Sequence, residues 1–378
     1  MYCENLYNQS RKVVLHMDKK NQPDLVLFLI TLVLLIIGLI MVLSASSYEA
    51  MLDYDDALHF FKRQAAFMAL GFIPMFIMMN INIDFVKRLA FPGLAISIVL
   101  LLLLPVFGVD VNGAVRWYRI GPLQFGPAEM AKPIVIVFFA MWLTALGKKN
   151  LRTFKGFFIT LLILAVVPVL IIGEDLGTAV CIAGAMFCML IVAEVPVSYL
   201  IGLACTAAAG VAAMIVAEPY RVQRILAFLD PFADPLGKGY QVVQSLYAIG
   251  SGSMFGVGLG ASRQKLMHLP EMHTDFIFSI IGEELGFLGA AFVILLFAAF
   301  IWRGFLLSSQ LEDRFMAFTA FGLTASIGIQ AMINIGVAVG AFPVTGIPLP
   351  FISYGGSSLI FMMATVGFLL NLSKYAKK

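Results

Sequence analysis

Apolar residues fall in ten long blocks along the chain, near residues 25–46, 64–80, 88–108, 130–147, 156–173, 176–194, 196–217, 276–302, 316–338 and 352–372. A helix needs about 20 apolar residues to cross the hydrocarbon layer. The pattern therefore predicts an all-α polytopic membrane protein with ten transmembrane helices. The first block follows a polar leader holding Arg11, Lys12, Lys19 and Lys20. No small-residue cleavage site clearly follows that block, so a retained helix is expected rather than a removed signal peptide. Only Glu194, Val195 and Pro196 divide the sixth block from the seventh, which predicts a tight reversal there.

Ten spans put both chain ends on one side, and the basic residues say which. With the N-terminus inside, the cytoplasmic segments collect Lys87, Arg88, Lys148, Lys149, Arg152, Lys155, Arg303, Arg314, Lys374, Lys377 and Lys378 together with the leader. Short outer loops hold Glu49, Asp53, Asp55, Asp56, Asp110, Glu174 and Asp175 instead. The expected organisation is a cytoplasmic tail over 1–24, a membrane domain over 25–372 and a cytoplasmic tail over 373–378. One connection, 218–275, has no long apolar run and reads as a large extracytoplasmic loop between spans 7 and 8. Loops of that length are usually functional. Within it, the stretch from Tyr240 to Ile249 alternates as a short helix lying in the membrane interface would.

Composition agrees with a membrane protein. Of 378 residues, 61% are hydrophobic and 12% charged, with a net charge of +3. The basic residues are scattered, so nothing supports nucleic-acid binding. Cys181, Cys188 and Cys205 lie inside apolar blocks and Cys3 in the leader, a pattern of neither a disulfide framework nor a zinc site.

In a chain this poor in charge, titratable residues at membrane depth mark candidate sites. The densest run is Leu266 to Gly286. Asp275 stands at its water-to-lipid border, followed at once by Phe276, Ile277 and Phe278. Scarce water tunes a carboxylate for general-base work; the plainer alternative is that Thr274 and Asp275 cap the helix starting at Phe276. Glu129 and Lys132 open the fourth span three residues apart, on one helical face. They either neutralise each other or free Lys132 for an anionic head group. Before them, Arg116 and Arg119 flank Trp117 and Tyr118, a pattern suited to an interfacial aromatic belt or to gripping a diphosphate beside a sugar. Glu283 and Glu284 lie two turns into the eighth span and need partners, for which Lys132 or backbone donors are the candidates. His268 and His273 match no familiar closed metal site and read as hydrogen-bonding residues. Finally, 342–358 is rich in proline, glycine and hydroxyls, and a re-entrant loop lining a polar cavity fits the rule for irregular backbone at membrane depth.

The segments His273–Gly286, Pro343–Ser358, Gly126–Lys132 and Gly173–Thr178 together resemble the SEDS proteins of bacterial cell-wall synthesis, the family of FtsW, RodA and SpoVE. Glycine before Glu283, where alanine is the alternative, looks more like the FtsW and SpoVE branch. The resemblance implies a ten-span peptidoglycan glycosyltransferase of the bacterial cytoplasmic membrane. It would polymerise lipid II, a polyprenyl-diphosphate-linked disaccharide peptide, on the outer face, with septal synthesis in cell division as the expected process. Elongation and spore-cortex synthesis are the alternatives. Implied partners are a class B penicillin-binding protein transpeptidase, membrane proteins of the divisome or elongasome, and membrane lipid.

By the same resemblance the catalytic aspartate falls on Asp275, the intramembrane Glu/Lys pair on Glu129 and Lys132, and the outer-loop Arg-Trp on Arg116 and Trp117. Arg224, His273, Glu283 and Ser353 complete the candidate substrate-binding set. No cofactor is required by these motifs; a divalent cation, Mg or Mn, at Asp275 or Glu129 is the one candidate. Two rivals remain open: a lipid flippase or ion-coupled transporter using Glu129, Lys132, Glu174 and Asp175 as a relay, and a scaffold that docks a penicillin-binding protein.

Overall fold

The computed structural model describes residues 21–377 apart from 112, 113, 122, 173, 174, 218, 267 and 268, with the backbone alone at 110, 111, 114, 120, 123, 214, 217, 219–221 and 224. Seven long helices come first: α1 (Leu25–Tyr54), α2 (His59–Asn80), α3 (Ile83–Phe107), α4 (Pro127–Leu151), α5 (Phe154–Ile171), α6 (Leu176–Val192) and α7 (Val197–Ala217). Two short ones follow, α8 (Pro219–Leu229) and α9 (Tyr240–Ser251), and then α10 (Ile277–Gln310), α11 (Arg314–Ala338) and α12 (Gly356–Ser373). The ten apolar blocks are thus the ten long helices, extended at α1 and α10 beyond their apolar stretches.

Polar residues placed just before apolar runs start several of these helices. Asp24, Thr153, Asp175 and Asp313 accept hydrogen bonds from the main-chain N–H groups of Leu27, Gly156, Thr178 and Met316, which satisfies donors that a helix start leaves unpaired. The reversal at Glu194 forms with a left-handed residue (φ 59°). One end of the bundle gathers both ends of the described chain: Arg303 Nε donates to Asp24 Oδ2 at 2.6 Å, Asp24 N to Ser373 Oγ at 2.9 Å, and Asn21 N to Lys374 O at 2.8 Å.

Three features of the opposite end differ from the sequence expectation. Residues 109–125 form a small antiparallel sheet, β1 (Val109–Val111), β2 (Ala114–Ile120) and β3 (Leu123–Phe125), in the order β1-β2-β3. As a strand, β2 places the consecutive side chains of Arg116, Trp117, Tyr118 and Arg119 alternately on opposite faces. Helix α9 does not lie free in the interface. It packs on α10 and α11, burying Val242, Val243, Ser245 and Ala248, and Ser245 Oγ donates to Ala338 O at 2.6 Å. The small side chains of this face let it approach where a bulkier amphipathic helix would stay outside.

The third difference is a break in α10 at Gly286 (φ 67°, ψ −167°). Main-chain groups around the break pair with the glycine-rich segment 253–258. Val257 N donates to Glu283 O, Gly258 N to Glu284 O, Phe287 N to Ser253 O and Leu288 N to Met254 O, at 2.9–3.2 Å.

The segment 342–355 is re-entrant, as expected. It is non-helical, yet Ile347, Leu349, Phe351 and Ile352 are buried. It descends to the middle of α1, where a Cβ on Gly38 would stand 2.5 Å from Phe351 O; only a bare backbone allows that approach. Three buried amides meet the polar groups of the segment: Gln64 Nε2 donates to Ser353 O, Gln330 Nε2 to Pro348 O and Asn334 Nδ2 to Ile347 O. Irregular backbone persists at this depth because its hydrogen bonds are supplied from within the protein.

Candidate active site

Helix α10 begins at Ile277 with Phe276 in the N-cap position and no side-chain cap. The alternative arrangement, in which Thr274 and Asp275 cap a helix starting at Phe276, does not form there, and Thr274 Oγ1 donates to Glu271 Oε2 at 2.8 Å. Asp275, half-buried, directs its carboxylate at the re-entrant segment. There Gly346 has φ 73°, and a Cβ built on it would lie 3.5 Å from Asp275 Oδ2 and 3.5 Å from Arg116 Nη1. Strand β2 thus brings a guanidinium, and the start of α10 a carboxylate, to the same glycine. Trp117, the next residue, turns the other way and covers Gly126, close to the Glu129 side chain.

Glu129 and Lys132 sit on the first turns of α4, 8% and 5% exposed, with Lys132 Nζ 2.8 Å from Glu129 Oε2. Ser358 Oγ donates to the same oxygen at 2.9 Å, and Lys132 Nζ donates to Gln330 Oε1 at 2.8 Å. A charge pair at this depth persists only when both members are hydrogen-bonded further, and both are. The pair lines a narrow cleft between α4, α11 and α12, partly open to the outside, with a cavity volume of about 20 Å³. Glu129, Lys132 and Gln330 form its polar side, and Ile136, Leu323 and Phe361 its apolar side. That lining pairs charge with hydrocarbon, the character of a molecule with an anionic head and a hydrocarbon tail, and the cleft must widen to admit one.

The donor set is a poor match to a resident divalent cation. Glu129 Oε2 already receives an ammonium and a hydroxyl, and Asp275 shares its glycine with a guanidinium.

Residues 24–378 match the FtsW/RodA/SpoVE family, described as "Cell cycle protein". The chain belongs to this family. Stage V sporulation protein E of Bacillus subtilis (strain 168) is 43% identical over 365 residues, covering 95% of this chain and 99% of that protein. A probable peptidoglycan glycosyltransferase FtsW of Geobacter sp. (strain M18) is 39% identical over 353 residues, 93% of this chain and 96% of that one. Among solved structures, a chain from "Structural coordination of polymerization and crosslinking by a peptidoglycan synthase complex" superposes with a TM-score of 0.78 at 30% identity, covering 93% and 97%. The rod shape determining protein RodA of Thermus thermophilus gives 0.70 at 27%, covering 94% and 98%.

Other candidate residues of this FtsW/RodA/SpoVE protein stand further back. His273 is buried between Phe60 and Tyr354, its Nδ1 3.2 Å from Glu49 Oε2. Ser353 is 5% exposed and joins two backbones: its Oγ donates to Thr274 O at 2.5 Å and accepts from Leu349 N at 2.7 Å. The side chain of Arg224, like His268 and Glu174, lies outside the described residues. Asp175 caps α6.

Glu283 is not near Lys132, whose ammonium is taken by Glu129 and Gln330. Its partners come from the loop just before α10. Ser262 Oγ donates to Glu283 Oε2 at 2.5 Å and Arg263 N to Oε1 at 2.9 Å. Glu284 accepts from Lys265 Nζ at 3.1 Å and from Ser44 Oγ on α1 at 2.6 Å. The two carboxylates clamp the loop, α10 and α1 together. Sequence reasoning passed over Gln64, Gln330 and Asn334, although lone amides inside apolar blocks, two of them four residues apart, are a signal of the same kind as lone charges.

Proposed function

We propose that this protein is a peptidoglycan glycosyltransferase that polymerises lipid II at the outer face of the bacterial cytoplasmic membrane. The observation that carries the reading is the meeting of the Asp275 carboxylate and the Arg116 guanidinium at Gly346, on a segment whose Pro348 carbonyl is held by the Gln330 that also holds Lys132. In this reading an acceptor sugar hydroxyl attacks the anomeric carbon of the donor. The new C–O bond forms as the bond to the polyprenyl diphosphate breaks. Asp275 takes the hydroxyl proton. Arg116 and Lys132 face the charge growing on the departing diphosphate, and the tail occupies the apolar side of the cleft. No step is assigned to a divalent cation.

The relatives named for sporulation and for peptidoglycan glycosyl transfer support the reading, as does the solved synthase complex. From these we take septal synthesis as the process and a class B penicillin-binding protein as the partner; the distribution of basic residues supports cytoplasmic termini. The test is purified protein with labelled lipid II. Wild type makes glycan chains, and Asp275→Asn, correctly folded, loses about 10²–10⁴-fold in rate, the usual contribution of a general base. Chain formation undiminished in Asp275→Asn would sink the assignment of the base. Translocation of lipid II across vesicles without any polymerisation would favour a flippase.

A further inference from the structure

We propose that Asn334 is a positioning residue for this reaction: it holds the backbone of Asp275 in register with the loop residue that stands between the Asp275 carboxylate and Arg116. The inference rests on the polymerase reading above. Asn334 is 1% exposed on α11. Its amide nitrogen has two protons and spends both on main-chain carbonyls, Asp275 O at 2.8 Å and Ile347 O at 2.7 Å. One acceptor belongs to the residue carrying the base. The other belongs to the residue after Gly346, where Asp275 Oδ2 and Arg116 Nη1 converge. Beside the Ser353 bond to Thr274 O, Asn334 therefore ties together two segments that are remote in sequence and have no regular secondary structure, and it alone among these bonds reaches Asp275 itself.

Gln330 performs the matching task one helical turn earlier. It accepts from Lys132 Nζ at 2.8 Å and donates to Pro348 O at 2.9 Å. Residues four apart share a helix face, so α11 carries a line of amides running from the buried cation, through the re-entrant segment, to the base. Asn334 Oδ1 is buried with no hydrogen-bond partner among the described residues. Leaving an acceptor unmet inside a protein is costly, and a leucine of similar size would avoid that cost. What leucine lacks is the pair of donors. Rates fall steeply when a reacting group moves by an ångström, so the donors matter to turnover more than to substrate capture.

The experiment compares Asn334→Leu with Gln64→Leu in the purified full-length protein, using labelled lipid II. Gln64 is also buried and makes two bonds to the same segment, donating to Ser353 O and accepting from Gly355 N, but none to Asp275. Asn334→Leu is expected to lower kcat by about 10–100-fold with KM within about threefold, and Gln64→Leu to lower kcat far less. Should Asn334→Leu fail to give folded protein, Asn334→Ser, which keeps one donor, should show the same kcat loss in weaker form. Equal losses in the Asn334 and Gln64 variants, a change in KM alone, or wild-type kcat in folded Asn334 variants overturn the inference while leaving the polymerase reading intact. An inactive wild type overturns both.

Discussion

Asp275 and Arg116 converge on a residue with no side chain: Oδ2 and Nη1 each lie 3.5 Å from the point where Gly346 would carry a Cβ. Gly346→Ala places a methyl group at that point and forces a left-handed φ of 73° on a residue that resists it, at about 1–3 kcal/mol. The variant is expected to fold with a lowered melting temperature and to polymerise lipid II about 10²-fold more slowly. Wild-type rates in a chain-length assay would show that the approach of the two groups is irrelevant to the chemistry.

For the Glu129–Lys132 pair, stability and activity should separate. Lys132→Met leaves a buried carboxylate without its counter-ion and should cost about 3–5 kcal/mol. The double variant Glu129→Gln/Lys132→Met removes both charges and should recover much of that loss in thermal unfolding, yet make no glycan. A double variant no more stable than the single one would mean that the pair does not behave as a mutually neutralising unit.

Spans and re-entrant loop were readable because each follows from an elementary demand: apolar length for a crossing, and hydrogen bonds for backbone at depth. The glutamates were visible as expensive residues, but their partners were not. Ser262 and Lys265 reach Glu283 and Glu284 because the loop before α10 folds back onto the break at Gly286, and Ser44 reaches Glu284 because α1 packs on α10. Nothing in local periodicity encodes that return. Arg116 and Trp117 stood out by chemistry, whereas their division between two faces needed the strand β2, hidden in a loop too short to show a clear β pattern. Asn334 was missed because a neutral amide in an apolar block attracts less notice than a charge, although its two donors join the most distant parts of the site.

Lys265 lies between the loop and Glu284. Lys265→Met should leave two buried carboxylates facing each other without an ammonium and release the 252–265 segment from α10. Limited proteolysis is expected to cut between 252 and 276 faster than in wild type. Lys265→Arg, which keeps the charge, should restore much of the protection. Unchanged cleavage in Lys265→Met would show that the main-chain pairing at Gly286 suffices without the clamp.

Gly38→Ala tests the depth of the re-entrant segment. A methyl group 2.5 Å from the Phe351 carbonyl oxygen must push the segment outward, with a cost of about 1–3 kcal/mol typical of overpacking. A reduced melting temperature and reduced polymerisation are expected together. A substitution without effect on either would place the loop tip elsewhere.

Among the described residues, helices α2 and α12 pack side by side more extensively than any other pair, and Asn371 Nδ2 closes one end of the pair by donating to Met78 O, 293 residues earlier in the chain. A ribosome adding about 5–20 residues per second finishes the one helix roughly 15–60 s after the other. Through that interval α2 sits in the bilayer with its main neighbour still unmade. The nascent protein must therefore carry an unmatched lateral surface until α12 arrives, which exposes it to membrane quality control throughout that interval.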